Sequence, residues 1–458
     1  MKLPIIFILL LFTLFCRESA SQAPSRTSLI DQLLSDLYQK HFFNGAVVIG
    51  QKGKIIFSKG YGYANFKDSI PFTPYTRSDG GSNAKTLTAT SILLLADEGK
   101  LKLNDPVQAY LPNYPYPNTI VWNLITHSVG GLPDYDYFFE KASDTAIVTT
   151  SLNLDILNKN KPDLNYSPGT NFYYDNVGFD LAALVVEKVT GENYFQFLKK
   201  RIFNPLKMEA SFVRPARLAD WKQTRTIGYR YQNDSLGLFD IADREGFYGG
   251  CNIWFNANDL YHWGESFYHN SILSDDLIKK ITSPVLINGK PSYVRLGAWY
   301  AGKTKSAFYY WGNVVGFYSW VYWDRDAQFT IAFMTNTAMP QWVRPLFTSA
   351  LIDVMEGNEY LPIREPNADL LDRNNLKQIV GTYNIDKLGS VEILIRNSKP
   401  ILKLNDGMEY QMHMVDRKPF YIPGFDPWIS FSSLKEDKFQ NIYWNSTILQ
   451  TAGKRNSN

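Results

Sequence analysis

Cysteine is almost missing from this 458-residue chain, which carries Cys16 and Cys251 and no others. A product that loses Cys16 can form no intramolecular disulfide, so core packing has to supply its stability. Long apolar runs are also missing. A bilayer span needs roughly 20 apolar residues, and the N-terminal run at 3–15 falls short of that. Neither sign of charge dominates: 47 Lys and Arg stand against 44 Asp and Glu, a net +3, with the basic residues scattered. That distribution lacks the basic stripe of a nucleic-acid binder. The histidines at 41, 127, 262, 269 and 413 have no metal-ligand spacing, and no cysteine pair accompanies them. No glycine-rich phosphate loop occurs. No metal, no nucleotide or other cofactor and no nucleic acid is therefore expected.

What is present reads as a globular protein, with 45% hydrophobic and 20% charged residues. Aromatic content is high at 15%, which more often fills β-rich cores than lines a groove. Lys2, the apolar run at 3–15 and the small polar stretch at 17–21 have the layout of a secretory leader cleaved before Gln22. The expected destination is the periplasm or the extracellular space. Cys16 offers a lipid-attachment position, but the bulky Phe15 before it argues against lipidation.

One hydrophobic core serves about 250 to 300 residues, so at least two folding units are expected. The expected divisions are a leader at 1–21, a main domain at 22–360, a linker at 361–373 and a small all-β module at 374–458. Within the main domain, 28–40 has helical spacing, and 45–63 alternates like two strands turning at Gln51-Lys52-Gly53-Lys54. Residues 85–96 are apolar nearly all round and stop at Glu98-Gly99, as a buried helix with a glycine stop would. Residues 176–190 repeat that grammar, and a segment rich in Pro, Tyr and Asp lies between the two. Strand-like runs return at 293–300, 306–310, 319–323 and 328–335. Others follow in the C-terminal module at 381–383, 391–395, 401–404, 428–431 and 442–444.

The leading chemical candidate is Ser82-Asn83-Ala84-Lys85, which follows Asp79-Gly80-Gly81 and opens the first apolar helix. The glycines allow a tight entry into the helix. Its first turn presents Ser82 near unsatisfied backbone N–H groups and the positive end of the helix dipole. Spacing of three puts the Lys85 amine on the same face, within reach of the Ser82 proton. The bland alternative is a capping serine followed by a solvated lysine. Ser432-Ser433-Leu434-Lys435 repeats the pattern with no apolar helix after it, which shows how little the motif proves alone.

A second candidate is Tyr174-Asp175-Asn176, entered through Pro168-Gly169-Thr170 and leading into the second apolar helix. A phenol beside an ammonium loses its proton more readily, so Tyr174 can serve as base and later as acid. Asn176 offers a donor and an acceptor to a substrate amide. Tyr-x-Asn also begins at Tyr63, Tyr116, Tyr231, Tyr268 and Tyr443, but only Tyr174 joins a Pro-Gly turn to a long apolar helix.

In order along the chain run Gly60-Tyr61-Gly62, Ser82 to Lys85, Glu98-Gly99-Lys100-Leu101, Asn104-Asp105-Pro106-Val107, Ile125-Thr126-His127, Gly131-Leu132-Pro133, Tyr174 to Asn176 and Pro205-Leu206. This series resembles the β-lactamase-related family of class C β-lactamases, D-alanyl-D-alanine carboxypeptidases, D-aminopeptidases and esterases, over about residues 44–357. The C-terminal stretch, with Val380-Gly381-Thr382-Tyr383, resembles the lipocalin-like β modules appended to such hydrolases. The resemblance implies an α/β (α+β) fold: an antiparallel sheet packed between helices with a helical insertion, plus a small barrel-like β module. It implies Ser82 as nucleophile, Lys85 and Tyr174 as the proton-handling pair, and Asn176 as a substrate contact. It also implies an oxyanion hole formed by the backbone N–H groups of Ser82 and Asn313.

The family's third motif, Lys or His, any residue, then Gly, falls on Tyr310-Trp311-Gly312, so the resemblance implies that Tyr310, Gly312 and Asn313 bind substrate. Gly312 still permits close approach, but Tyr310 brings no positive charge at neutral pH. Lys303-Thr304-Lys305 lies nearby without the glycine and reads as a solvated turn. The expected protein is an exported serine hydrolase that forms an acyl-enzyme on a small-molecule or peptide substrate, with cell-wall fragments among the candidates. Esters or D-peptides are favoured over β-lactams. The alternative is a catalytically silent protein that binds cell-wall peptide or glycan in the same cleft, and the departure at position 310 favours it. His127 invites a Ser-His-Asp triad with Asp134, but its family segment implies a buried structural histidine.

Overall fold

A computed structural model of the protein describes residues 24–456 apart from 218–219, 222–224, 233, 270–271, 297–298, 361–362, 364–374, 387, 406, 408, 415–419, 423–424 and 446–449. The expected leader with Cys16, and all of the expected linker except Ile363, lie outside the described residues.

The chain begins with helix α1 (Arg26–Gln39), which buries Ile30, Leu33, Leu34 and Leu37 on one face. Strands β1 (Gly45–Gln51) and β2 (Lys54–Tyr61) follow. Lys52 and Gly53 both take positive φ, 52° and 73°, the conformation a two-residue hairpin needs. After the short strand β3 (Ser78–Asp79) comes α2 (Ala84–Asp97). Every α2 residue from Ala84 to Leu95 is buried, as its all-round apolar sequence predicts. The insertion that follows includes α3 (Tyr135–Lys141) and leads to α4 (Val177–Thr190), which Gly191 terminates in the left-handed conformation at φ 70°.

Beyond α4 lie β4 (Phe212–Val213), β5 (Ile253–Phe255) and α5 (Ala257–Glu265). Strand β5 pairs with β3 and β4, which ties the entry to α2 into a three-stranded sheet. Six strands follow: β6 (Pro284–Ile287), β7 (Lys290–Arg295), β8 (Trp299–Ala301), β9 (Ala307–Val314), β10 (Phe317–Asp324) and β11 (Phe329–Thr335). The main domain ends with α6 (Val343–Glu356). One eight-stranded sheet runs β6-β7-β8-β9-β10-β11-β1-β2, antiparallel throughout.

Both faces of that sheet are covered. Phe347 of α6 packs on Phe333 and Phe43 with ring centroids 5.0 and 5.5 Å apart. On the other face α5 lies so close that a Cβ on Gly264 would meet Thr330 and Val321 at 2.8 Å. Strands β10 and β11 are buried at every position, and their sequences are accordingly apolar and aromatic instead of strictly alternating. Helices α2 and α4 pack against each other within the same continuous core. The antiparallel sheet between helices stands as expected. One strand differs: the run expected at 293–300 is two strands, β7 and β8, paired with Arg295 opposite Trp299. Leu296, at φ 53°, turns the chain between them.

The C-terminal residues form their own nine-stranded antiparallel sheet. Its two outermost strands, Glu409–Gln411 and His413–Met414, are consecutive in the chain. One intervening residue, Met412, separates them, so the sheet curls until its ends meet and becomes barrel-like. Tyr383, Phe431, Phe439 and Ile442 fill its interior. Ser432 to Lys435 lies within the long strand Phe425–Lys435 of this sheet, so the second Ser-x-x-Lys sits on a strand, where residues three apart point to opposite faces.

Candidate active site

The peptide before Ser82 is held in an unusual shape by short contacts. Asp79 Oδ1 accepts from Gly81 N at 2.7 Å, and Gly81 takes φ 51°, a left-handed conformation that glycine adopts at no steric cost. Ser319 on β10 accepts from Asn83 Nδ2 at 2.7 Å and donates to the Gly80 carbonyl at 2.7 Å, so one hydroxyl staples the loop to the sheet. Gly81–Asn83 form a single 3₁₀ turn. Ser82 therefore lies just before α2, with its hydroxyl at the junction of sheet and helices.

Ser82 is 8% exposed. Its Oγ lies 2.7 Å from Tyr174 OH and accepts from Lys85 Nζ at 2.8 Å. Fully buried Lys85 also donates to Asn176 Oδ1 at 2.7 Å and to the Gly250 carbonyl at 2.8 Å. The amine thus sits among three oxygens. A neutral amine has two N–H bonds and one lone pair. Asn176 Oδ1 and Gly250 O can only accept, so they take both N–H bonds and leave the lone pair facing Ser82. An ammonium in the same cradle donates its third N–H to Ser82 in a hydrogen bond. Either protonation state fits without side-chain movement, which is what a proton relay needs.

Asn176 is oriented by Asp134, whose Oδ1 accepts from Asn176 Nδ2 at 2.9 Å. A carboxylate only accepts, so the amide nitrogen must face it and the amide oxygen must face Lys85. Tyr174 is oriented by His127. The imidazole, fully buried and at φ 53°, stacks on the phenol ring with centroids 4.5 Å apart, and its Nδ1 accepts from Asp175 N at 3.3 Å. His127 and Asp134 thus hold Tyr174 and Asn176 respectively. Neither role was legible in the sequence beyond the family segment that contains His127.

Three carboxyls around this region are fully buried. Burial pushes Asp79 and Asp175 up to about 7 and Asp180 up to about 8, opposed in part by backbone N–H donors at Gly81, Gly178 and Gly250. Each native carboxyl holds its proton more tightly than the same carboxyl in the unfolded chain. Its contribution to stability is therefore fully present below the unfolded value near 4 and is lost as pH rises through 7 to 8. Melting temperature is expected to fall between pH 5 and pH 8.5. A melting temperature that rises across that range would show that these groups ionise normally.

The third expected motif lies on β9, and its glycine abuts the serine loop. A Cβ on Gly312 would stand 1.9 Å from Gly80 O and 2.7 Å from Ser82 N, and one on Gly81 would stand 2.7 Å from Asn313 N. These contacts place the backbone nitrogens of Ser82 and Asn313 on the two sides of one close approach between the serine loop and β9. Tyr310 shares the Gly312 face of β9 by strand alternation, but it is 2% exposed and is part of the core.

The exposed residue next to the motif is Asn313, whose Oδ1 accepts from Arg344 Nη2 at 2.8 Å. The Arg344 guanidinium also lies over the Tyr318 ring, 4.5 Å from its centroid. Arg344 was missed in the sequence, where an arginine in the first turn of α6 carries no signal. Lys303, read there as solvated, forms an ion pair with Asp353 at 2.6 Å. Among the described residues no cluster of three or more His, Cys, Asp or Glu could hold a metal, and no helix is long and apolar enough to cross a membrane.

A family model described as beta-lactamase matches residues 28–346. The chain belongs to the β-lactamase family. It is 23% identical over 430 residues to penicillin-binding protein 4* of Bacillus subtilis, covering 89% of this chain and 94% of that one. Among solved structures it resembles the octameric penicillin-binding protein homologue of Pyrococcus abyssi, with a TM-score of 0.62 and 20% identity over 93% of this chain and 99% of the other. It also resembles EstCE1, described as a hydrolase with promiscuous acyltransferase activity, with a TM-score of 0.54 and 18% identity over 68% and 94% of the two chains.

Proposed function

We propose that this protein is an exported serine hydrolase that transfers the acyl group of an ester or amide first to Ser82 and then to water. The observation that carries the reading is the position of Ser82 Oγ, 2.7 Å from Tyr174 OH and 2.8 Å from Lys85 Nζ, where Gly312 closely approaches the serine loop. As Ser82 Oγ bonds to the carbonyl carbon, its proton passes to the Tyr174–Lys85 pair. The negative charge formed on the carbonyl oxygen is met by the N–H groups of Ser82 and Asn313. Collapse breaks the bond to the leaving alcohol or amine, which takes the proton back from the same pair. Water then repeats the sequence on the acyl-enzyme, releasing the acid and regenerating Ser82. No metal or cofactor is needed.

The assignment has four parts. Ser82, Lys85 and Tyr174 are the catalytic residues. Asn176 and Asn313 contact substrate, Gly312 makes the close approach possible, and Tyr310 supports the strand from within the core. The divisions at 1–21, 22–360, 361–373 and 374–458 are retained for leader, catalytic domain, linker and β module, and the leader is the support for export. With an uncharged residue at 310, recognition of substrate carboxylates passes to Arg344, which reaches Asn313 at the mouth of the pocket. Arg344→Ala is expected to raise KM about 10-fold for an ester whose acyl group bears a carboxylate, the loss of one hydrogen bond to a charged group, while a neutral ester is unaffected. Equal effects on both esters would remove Arg344 from substrate recognition.

Turnover of a panel separates the substrate classes. Short-chain esters and D-amino-acid amides are expected to be hydrolysed, with a fluorescent penicillin labelling the protein slowly or not at all. Folded protein that turns over neither esters nor amides, yet binds cell-wall peptide, would favour the silent binding protein instead.

A further inference from the structure

Behind Lys85 lies a fully buried carboxyl that the proposed mechanism does not use. Asp180 projects from the first turn of α4 and accepts from Gly250 N at 2.8 Å and from Tyr135 OH, on α3, at 3.2 Å. The Gly249–Gly250 peptide is pinned at its other pole as well, because Thr88 Oγ1 of α2 donates to Gly249 O at 2.7 Å. The next carbonyl along, Gly250 O, is the one that accepts a hydrogen bond from Lys85.

Both glycines are demanded by proximity to α4. A Cβ on Gly249 would stand 2.5 Å from Phe179 O, and one on Gly250 would stand 2.7 Å from Asn176 O. The strap therefore lies directly on the backbone that begins α4. It spans from the helix carrying Lys85 to the helix that follows Tyr174 and Asn176.

We propose that Asp180 is a positioning residue for the acyl-transfer reaction: it fixes the Gly249–Gly250 strap so that Gly250 O engages one N–H of Lys85 and the amine is aimed at Ser82. The inference rests on the hydrolase reading given above. Without the strap, a buried Lys85 would lose one of its three acceptors, leaving Asn176 Oδ1 and Ser82 Oγ. Burial also keeps Asp180 protonated near neutral pH, so it anchors the strap by accepting hydrogen bonds without placing a full negative charge beside the amine.

The role separates cleanly from substrate binding, because Asp180 is 0% exposed. Asp180→Ala is expected to lower kcat about 10-fold to 100-fold, the scale of a misplaced catalytic group, with KM for a short-chain ester within about threefold of the wild type. Asp180→Asn keeps an oxygen acceptor for Gly250 N, and its kcat is expected to stay within about threefold. Thr88→Val releases the other pole of the same peptide and is expected to lower kcat about threefold to 10-fold, again with KM unchanged.

Circular dichroism and a thermal melt establish that each variant is folded. If Asp180→Ala does not fold, Thr88→Val together with Asp180→Asn decides the question. The role of Asp180 is overturned by a folded Asp180→Ala or Thr88→Val with kcat within twofold of wild type, or by an Asp180→Asn as impaired as Asp180→Ala. An active wild type with unaffected variants would leave the hydrolase reading standing and remove only Asp180. An inactive wild type would overturn both.

Discussion

Ser82→Ala is expected to leave a folded protein whose ester hydrolysis falls by about 10⁴-fold or more, the scale seen when a serine nucleophile is removed. The size follows from the division of labour in the site. Tyr174 and Lys85 converge on one oxygen, at 2.7 and 2.8 Å, and with that oxygen gone neither has a proton to move. The proposed N–H donors of Ser82 and Asn313 belong to the backbone and survive the substitution, so a small residual rate over water is expected from polarisation of the carbonyl alone. Melting temperature should change little, because the hydroxyl carries no part of the loop's architecture. Asp79, Asn83 and Ser319 hold that loop. The measurement is steady-state hydrolysis of a short-chain ester beside a thermal melt. A folded Ser82→Ala with turnover within tenfold of wild type would show that the ester is cleaved elsewhere.

Gly312→Val is expected to have the second largest effect, through backbone and not through chemistry. Any Cβ at this position meets Gly80 O at 1.9 Å and Ser82 N at 2.7 Å, closer than atoms can stand. Either β9 or the serine loop must move. Movement of either separates the N–H groups of Ser82 and Asn313, and loss of one donor of such a pair costs roughly 100-fold to 1000-fold in kcat. Overpacking of this kind also costs about 1 to 3 kcal/mol of stability, so melting temperature should fall at the same time. The neighbouring change Trp311→Phe, on the opposite face of β9, is expected to leave kcat within about threefold. Gly312→Val with unchanged turnover would separate β9 from the oxyanion pocket.

The candidate residues that the structure brings together were legible in the sequence because each sits at a junction with its own local grammar. Ser82 follows two glycines and opens an apolar helix, and Tyr174 follows a Pro-Gly turn and opens another. Those helices and the hairpin at Lys52-Gly53 were read correctly because apolar periodicity and turn chemistry agree there. The residues that hold the site were not legible, because their partners lie far away in sequence. Asp180 meets Gly250 across 70 positions, Asp134 meets Asn176 across 42, and Arg344 meets Asn313 across 31. Only the fold makes them neighbours. The strand expected at 293–300 failed for another reason: a non-glycine residue, Leu296, takes the left-handed conformation at the turn, and no sequence preference marks leucine for that.

Position 310 shows how structure changes the weight of a sequence departure. A missing Lys or His there reads as loss of a substrate anchor. Tyr310 is instead packed in the core, and Arg344 brings a guanidinium to Asn313, the exposed residue that follows the motif. In the proposed reading mechanism and specificity part company: the serine, lysine and tyrosine are assigned the chemistry, and the surroundings of Asn313 the choice of substrate.

The most direct test of the nucleophile is covalent capture. The folded full-length protein is incubated with a fluorophosphonate, digested, and the modified peptide is identified by mass spectrometry. Ser82 Oγ displaces fluoride from phosphorus, so the expected result is one adduct per chain on the peptide containing Ser82, absent from Ser82→Ala and formed much more slowly by Lys85→Ala. No adduct on a folded wild type, or an adduct that persists in Ser82→Ala, would contradict the assignment of Ser82 as the acyl acceptor.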